Sequence, residues 1–226
     1  MDNREPYAKE LNDVFDAMKN NKSLIENTKK AKELMTYYHC AMLEVQTKLN
    51  VLNEQFAIEN ERNPIESIKS RIKSIQSIHD KLKRRGHVFS LKSIEENLND
   101  VAGIRVICSF VDDIYMIADC LSQQDDIKIL ERKDYIRSPK ENGYRSLHLI
   151  VEIPIFLRNE KKKMRVEIQL RTIAMEFWAN LEHKIRYKKN LDSEKERAIE
   201  QGLKECAVIS ATLDTKMYEI RQMVSE

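Results

Sequence analysis

Two short runs near the middle of the chain constrain its fold most: YRSLHLIVEIP at 144–154 and RVEIQLRT at 165–172. Both alternate polar and apolar residues, and a period of two is the signature of a strand with one buried face. In the first run Tyr144, Ser146 and His148 fall on one side, while Leu147, Leu149 and Val151 fall on the other. In the second, Arg165, Glu167, Gln169 and Arg171 oppose Val166, Ile168 and Leu170. The turn from Arg158 to Lys162 is short enough to join the runs as a hairpin. Both polar rows then open on the same side of one sheet, because a slip of one residue would send every apolar side chain into water.

The rest of the chain reads as regular structure, since only four glycines and four prolines interrupt it. Helices are expected over 6–20 and about 23–60. Another is expected over 64–85, begun by Pro64 in its first turn and ended by Gly86. A short helix at about 91–98 leads into DVAGIRVICSF, a strand rich in Val and Ile. Further helices are expected over 111–123, 172–188 and 193–224, and a strand over 127–135. The class is α/β, more narrowly α+β: a mixed sheet of four or five strands covered by helices, with helical extensions at both ends. The last helix carries Ile199, Leu203, Cys206, Ile209, Leu213, Met217, Ile220 and Val224 at spacings of three and four. Such a stripe must bury against something, either the core or a second copy.

Composition narrows the function classes. A net charge of +2 with 34% charged residues describes a highly charged but balanced surface. That excludes a general nucleic-acid coat and leaves room for a local basic patch. No run of eighteen apolar residues occurs, and MDNREPYAKE has no signal-peptide apolar region. Cys40, Cys108, Cys120 and Cys206 show neither C-x-x-C nor zinc spacing, as in a reduced, cytoplasmic protein.

The basic patch has a location. Between residues 69 and 85 seven basic residues face a single acid, Asp80. Read as a helix, Lys69, Lys73, Ser77, Lys81 and Arg84 share one side and Ile68, Ile72, Ile75 and Leu82 the other. A solvated face is one reading; a phosphate cradle is the other, with serine hydroxyls adding donors among the lysines. The segment DYIRSPKENGYRSLH adds Arg137, Lys140, Asn142, Tyr144, Arg145 and His148 around one glycine turn. Tyr144 can offer a ring for a base, and Glu167, isolated among apolar neighbours, a general base or metal ligand. Asp100, before Ala102 and Gly103, is either a turn residue or a second oxygen ligand for Mg²⁺. Arg105 can stack on a base or pair with phosphate. Cations, an aromatic ring and an isolated acid suit a nucleotide-dependent phosphoryl-type transferase. His79-Asp80 has no companion His or Asp cluster, and Glu182-His183 point about 100° apart on a helix, so neither pair makes a metal centre.

At these residues the chain resembles the small alarmone synthetases, single-domain members of the RelA/SpoT family of the RelP or RelQ type. The matching segments are RIKSIQSIHDKLKRRG, DVAGIRVICSFVDDIY, DYIRSPKENGYRSLH and VEIQLRTIAMEFWANLEHKIRYK, which span roughly 63–188. NPIESIKSRIKS lies nearer the RelP branch. The resemblance implies a nucleotidyltransferase-like sheet, with a catalytic domain at 63–190, a helical extension at 1–62 and an oligomerisation helix at 191–226. It implies transfer of the β,γ-pyrophosphate of ATP to the 3′-hydroxyl of GTP or GDP by a homotetramer. Arg71 and Arg105 would then sandwich adenine, and Lys73, Ser77, Lys81 and Arg84 would hold its phosphates. Asp100 and Glu167 would bind Mg²⁺, with Glu167 also taking the 3′-hydroxyl proton. Tyr144 would stack guanine, helped by Lys140, Asn142, His148 and Gln169. Which of Lys83, Arg84 and Arg85 reaches phosphate stays open, as does the preferred acceptor. Two other readings remain: a same-fold enzyme that pyrophosphorylates tRNA, with the basic run 158–165 as its RNA surface, and a non-catalytic RNA-binding module. No stable nucleic-acid or membrane partner is expected.

Overall fold

The architecture comes from a computed structural model, which describes residues 22–60, 63–186 and 193–225. The helix expected over 6–20 lies outside them. In chain order the elements are α1 (Lys22–Asn60), β1 (Ile65–Ile72), α2 (Ile75–Arg84), α3 (Leu91–Asn97), β2 (Ala102–Cys108), α4 (Val111–Ser122), β3 (Lys128–Asp134), β4 (Leu147–Phe156), β5 (Lys161–Thr172), α5 (Ile173–Arg186) and α6 (Ser193–Ser225).

Five strands form one mixed sheet in the order β1-β2-β5-β4-β3. Only β2 and β5 run parallel; the other pairs are antiparallel. The hairpin read from the sequence is present as β4-β5, with His148 opposite Gln169 and Ile150 opposite Glu167. Across β5 lie Gly103 beside Glu167 and Arg105 beside Gln169, and then Arg71 opposite Gly103 and Lys69 opposite Arg105. Four strands therefore contribute to one polar face.

The opposite face is the core. Leu149, Val151, Ile104, Val106, Val166 and Ile168 are packed under α1 and α4. In α1 the buried residues Leu34, Met35, Tyr38, Ala41, Met42, Val45, Leu49, Leu52 and Phe56 recur at helical spacing. Their stripe is what holds so long a helix flat on the sheet. Ser74 caps α2, its hydroxyl accepting from the Ser77 amide at 3.2 Å. Gly86, with φ of +75°, ends the turn after α2 while the His87 amide bonds the Leu82 carbonyl at 3.0 Å.

Two expectations are corrected. Residues 65–72 form a strand, so the helix expected over 64–85 is only its second half, α2. Pro64 and the spacing of Ile68, Ile72, Ile75 and Leu82 imitate a helix, but the open edge of β2 offers a full ladder from Ser67–Ile107 to Ile72–Ala102. Tertiary pairing overrides the local pattern. Lys69 and Arg71 consequently stand on the sheet face, and only Ser77, Lys81 and Arg84 of the basic set lie on the helix. The second correction concerns β4, which begins at Leu147, so Tyr144 and Ser146 precede it, although the Tyr144 side chain still reaches His148. Ser146 is buried, and its hydroxyl bonds the Leu170 carbonyl at 3.0 Å.

Along α6, Leu203 and Ala207 pack against Trp178 of α5, while Ile209, Leu213, Met217, Ile220 and Val224 stay exposed. Among the described residues, no helix is long and apolar enough to cross a membrane.

Candidate active site

A cleft opens on the polar face, lined among others by Arg71, Asp100, Gly103, Arg105, Glu167 and Gln169. These come from the loop before β2 and from strands β1, β2 and β5, so the sheet register alone sets their spacing. Gly103 forms its floor: a Cβ there would meet nothing nearer than Arg71, at 3.9 Å. Arg71 and Arg105 thus flank a bare strip of backbone.

Asp100 sits where two lysines converge. Its Oδ2 accepts from Lys73 Nζ at 2.5 Å and Lys81 Nζ at 2.6 Å, all three side chains being largely buried. Burial pushes this carboxyl up, but the hydrogen bonds and charges of the two lysines outweigh that and hold it below its ordinary value. Its second oxygen, Oδ1, is buried without a hydrogen-bond partner. A buried carboxylate oxygen without a partner is unusual, and hard oxygen donors of this kind suit Mg²⁺. Glu167 faces the same cleft. Among the described residues no cluster of three or more His, Cys, Asp and Glu gathers as a metal site; Asp100 and Glu167 are the two carboxylates in the cleft lining.

Glu167 is also one end of a side-chain chain that leads to the tyrosine. Its Oε2 accepts from Gln169 Nε2 at 2.9 Å, and its Oε1 lies 3.5 Å from His148 Nδ1. Burial raises its pKa, but His148 and then Gln169 bring it below the ordinary value, against a smaller push from Asp100. His148 Nε2 meets the Tyr144 hydroxyl at 2.8 Å, and that hydroxyl accepts from Arg171 Nη2 at 2.7 Å. Arg171, buried, continues to Glu176 at 2.8 Å, and Glu176 holds Arg105 at 3.1 Å. Acid, imidazole, phenol and guanidinium, closed by the Glu176 carboxylate, therefore link Glu167 to the guanidinium of Arg105.

The loop before β4 carries the remaining residues. Lys140 Nζ lies 4.9 Å from the Tyr144 ring centroid, and Arg171 lies 5.1 Å from it. Asn142 accepts from the Tyr144 amide at 3.1 Å and donates to Glu182 at 3.3 Å. Ser77 lies in the first turn of α2, where its hydroxyl accepts from Ser74 at 2.9 Å. Arg84 is exposed, whereas Arg85 is turned away to the Asn97 carbonyl at 2.7 Å. The structure thus gathers Asp100, Glu167, Arg71, Arg105, Gln169, Lys73 and Lys81 at one cleft. It joins His148 and Tyr144 to that cleft through side-chain contacts, with Lys140 and Asn142 in the loop alongside. Ser77 and Arg84 lie on α2, outside the cleft lining.

Sequence reasoning missed Glu176, Asp214 and Trp178. Glu176 leaves no periodic signal, because its partners Arg105 and Arg171 belong to two strands. Arg171 could have been found, since it continues the row of Glu167 and Gln169. The basic run 158–165 is tied up locally: Lys162 pairs with Glu95 at 2.8 Å, Lys163 with Glu152 at 3.2 Å, and Lys161 covers the Phe156 ring.

Residues 70–192 match the family model described as the region found in RelA / SpoT proteins. The chain is 46% identical over 193 residues to the GTP pyrophosphokinase YwaC of Bacillus subtilis, covering 85% of this chain and 91% of that one. It is 36% identical to the GTP pyrophosphokinase YjbM of the same organism, covering 84% and 87%. The crystal structure of the Bacillus subtilis small alarmone synthetase 1 bound to its product pppGpp superposes with a TM-score of 0.78 at 35% identity, over 88% of this chain and 100% of that one. With the family model matching over half of its length and the sheet, cleft and acid–imidazole–phenol chain in place, this chain belongs to the RelA/SpoT family.

Proposed function

We propose that the chain is a GTP pyrophosphokinase that moves the β,γ-pyrophosphate of ATP onto the 3′-hydroxyl of GTP or GDP. The observation that carries this reading is the placement of Glu167, which faces both the Arg71–Arg105 cleft and, through His148, the ring of Tyr144. A candidate base, an arginine-flanked cleft and an aromatic ring meet at one carboxylate. Adenine lies between Arg71 and Arg105 over Gly103, where flat guanidinium groups suit a ring. Its phosphates run toward Lys73, Lys81 and the capped start of α2 with Ser77, with Arg84 beyond. Guanine stacks on Tyr144, with Lys140, Asn142, His148 and Gln169 around it.

Glu167, kept ionised by His148 and Gln169, takes the proton from the 3′-oxygen of the acceptor. That oxygen attacks the β-phosphorus of ATP, the bond from the β-phosphorus to the α,β-bridging oxygen breaks, and AMP leaves. Asp100 and Glu167 would hold Mg²⁺, which when bound neutralises phosphate charge in the transition state. The unpartnered Oδ1 of Asp100 supports that assignment. The lysines do the remaining work of offsetting repulsion between two polyphosphates and fixing the in-line approach.

The role extends to alarmone synthesis in the stringent response, in the cytoplasm, by a homo-oligomer, most simply a tetramer. The exposed stripe from Ile209 to Val224 supports the self-association. Residues 63–190 carry the chemistry, flanked by additions at 1–62 and 191–226. Incubating the purified protein with ATP labelled at the γ-phosphate and each of GTP, GDP and GMP, then separating the products, tests the reading. Label should move to a guanine nucleotide only with Mg²⁺ present. Absence of transfer to every guanine nucleotide, or transfer to tRNA instead, would overturn it.

A further inference from the structure

Four consecutive residues around the proposed acceptor ring are each held by one of the two C-terminal helices. Asn142 donates to Glu182 of α5. Gly143, with φ of +90°, sits so close to α6 that a Cβ there would lie 2.5 Å from the Cβ of Ala207. Tyr144 packs against the cluster of Trp178, Leu203 and Ala207. Arg145 donates from Nη1 to Asp214 Oδ2 of α6 at 3.1 Å, both side chains being largely buried.

The loop is therefore wedged between α5 and α6, and α6 is pinned there at separate points. Trp178 Nε1 donates to the Leu203 carbonyl at 2.8 Å, and further along Arg221 pairs with Asp112 of α4 at 2.5 Å. No part of α6 lines the cleft. Yet only glycine can stand at 143, because the left-handed backbone and the Ala207 methyl both exclude a side chain. A buried Arg–Asp pair adds little net stability, but it fixes geometry, since either partner alone would be stranded without a counter-charge.

We propose that α6 is a built-in part of the acceptor site: Asp214 and Ala207 are positioning residues that hold loop 142–145, and with it the Tyr144 ring, in the orientation that receives the guanine nucleotide. This rests on the reading of Tyr144 as the acceptor-side ring. Neither residue touches nucleotide, so their effect must appear in acceptor binding and not in ATP binding.

The test uses the full chain and two variants. Asp214→Asn keeps shape and removes the charge opposite Arg145; Ala207→Val adds bulk against Gly143. Each should raise the KM for GDP by about tenfold or more while leaving the KM for ATP within about twofold and kcat at saturating GDP within about threefold. Trp178, the only tryptophan in the chain, gives a second readout. Its emission should shift on titration with GDP, but not with a non-hydrolysable ATP analogue, and the GDP midpoint should move to higher concentration in both variants. A merely structural role would lower thermal stability and weaken both nucleotides alike, and that result would overturn the proposal. So would folded variants that bind GDP as the wild type does. If Asp214→Asn does not fold, Ala207→Val decides alone, and if that also fails, Ala207→Ser with the same criteria replaces it. A wild type that neither binds GDP nor transfers pyrophosphate would sink the functional reading as well, which sets that failure apart from this one.

Discussion

Tyr144→Phe separates two jobs that one side chain performs. The ring is placed to stack on a base, while the hydroxyl ties Arg171, at 2.7 Å, to His148, at 2.8 Å. Arg171 can only donate, so the hydroxyl accepts from it, while its contact with His148 Nε2 fixes the ring whose Nδ1 faces Glu167 Oε1 at 3.5 Å. Phenylalanine keeps the stack and removes this arrangement. A hydrogen bond to a charged group is worth about 1.5–3 kcal/mol. Arg171 keeps Glu176 and Gln169, so stability should fall by only about 1 kcal/mol, toward the neutral-bond end of the scale. The remainder appears in the orientation of the base, as a drop of about tenfold in kcat, equivalent to about 1.4 kcal/mol. The KM for the guanine nucleotide should change by less than about threefold. Tyr144→Ala removes the ring too, and losing a stack worth about 1–3 kcal/mol should raise that KM by roughly five- to a hundredfold. Steady-state rates with labelled ATP at varied acceptor, alongside thermal unfolding, measure both. If Tyr144→Phe raises the acceptor KM as much as Tyr144→Ala does, or leaves kcat unchanged, the hydroxyl does not orient the base.

Glu167→Gln should fold normally, since Gln169 can still donate to the retained oxygen, but turnover should fall by about a hundredfold or more; near-normal transfer in stopped assays would remove Glu167 as the base. Asp100 and Glu167 are both held below ordinary carboxylate values. A folded pKa below the unfolded one contributes stability that is present above the unfolded value of about 4 and is lost as pH falls through the folded one. Acid unfolding followed by circular dichroism should therefore be shallower below about pH 4 in Asp100→Asn, which has already lost that contribution; an unchanged slope would discount the Lys73–Asp100–Lys81 cluster. Asp placed at both Leu213 and Met217, exposed in the isolated chain, should dissociate the assembly or make it insoluble, because a charge buried at an interface costs several kcal/mol. Light scattering that finds the wild type monomeric at micromolar concentration would refute that argument.

The sequence by itself determined the elements whose residues carry their own period. The β4-β5 hairpin and the common row of Glu167 and Gln169 follow from alternation, and α6 follows from apolar spacing. It also picked out Asp100, Arg105 and Glu167, which line one cleft, and His148, which lies against Glu167. It misread residues 65–72, where isoleucines at three- and four-residue spacing suit a helix, and the free edge of β2 decided for a strand. Only the tertiary structure could show that Asp100 is clasped by Lys73 and Lys81, that Arg171 and Glu176 join Tyr144 to Arg105, or that Asp214 reaches Arg145 across 69 residues of chain. Such contacts leave no local pattern. They arise where buried polar groups from distant elements must find partners once water is excluded, and only the packed chain settles which partners those are.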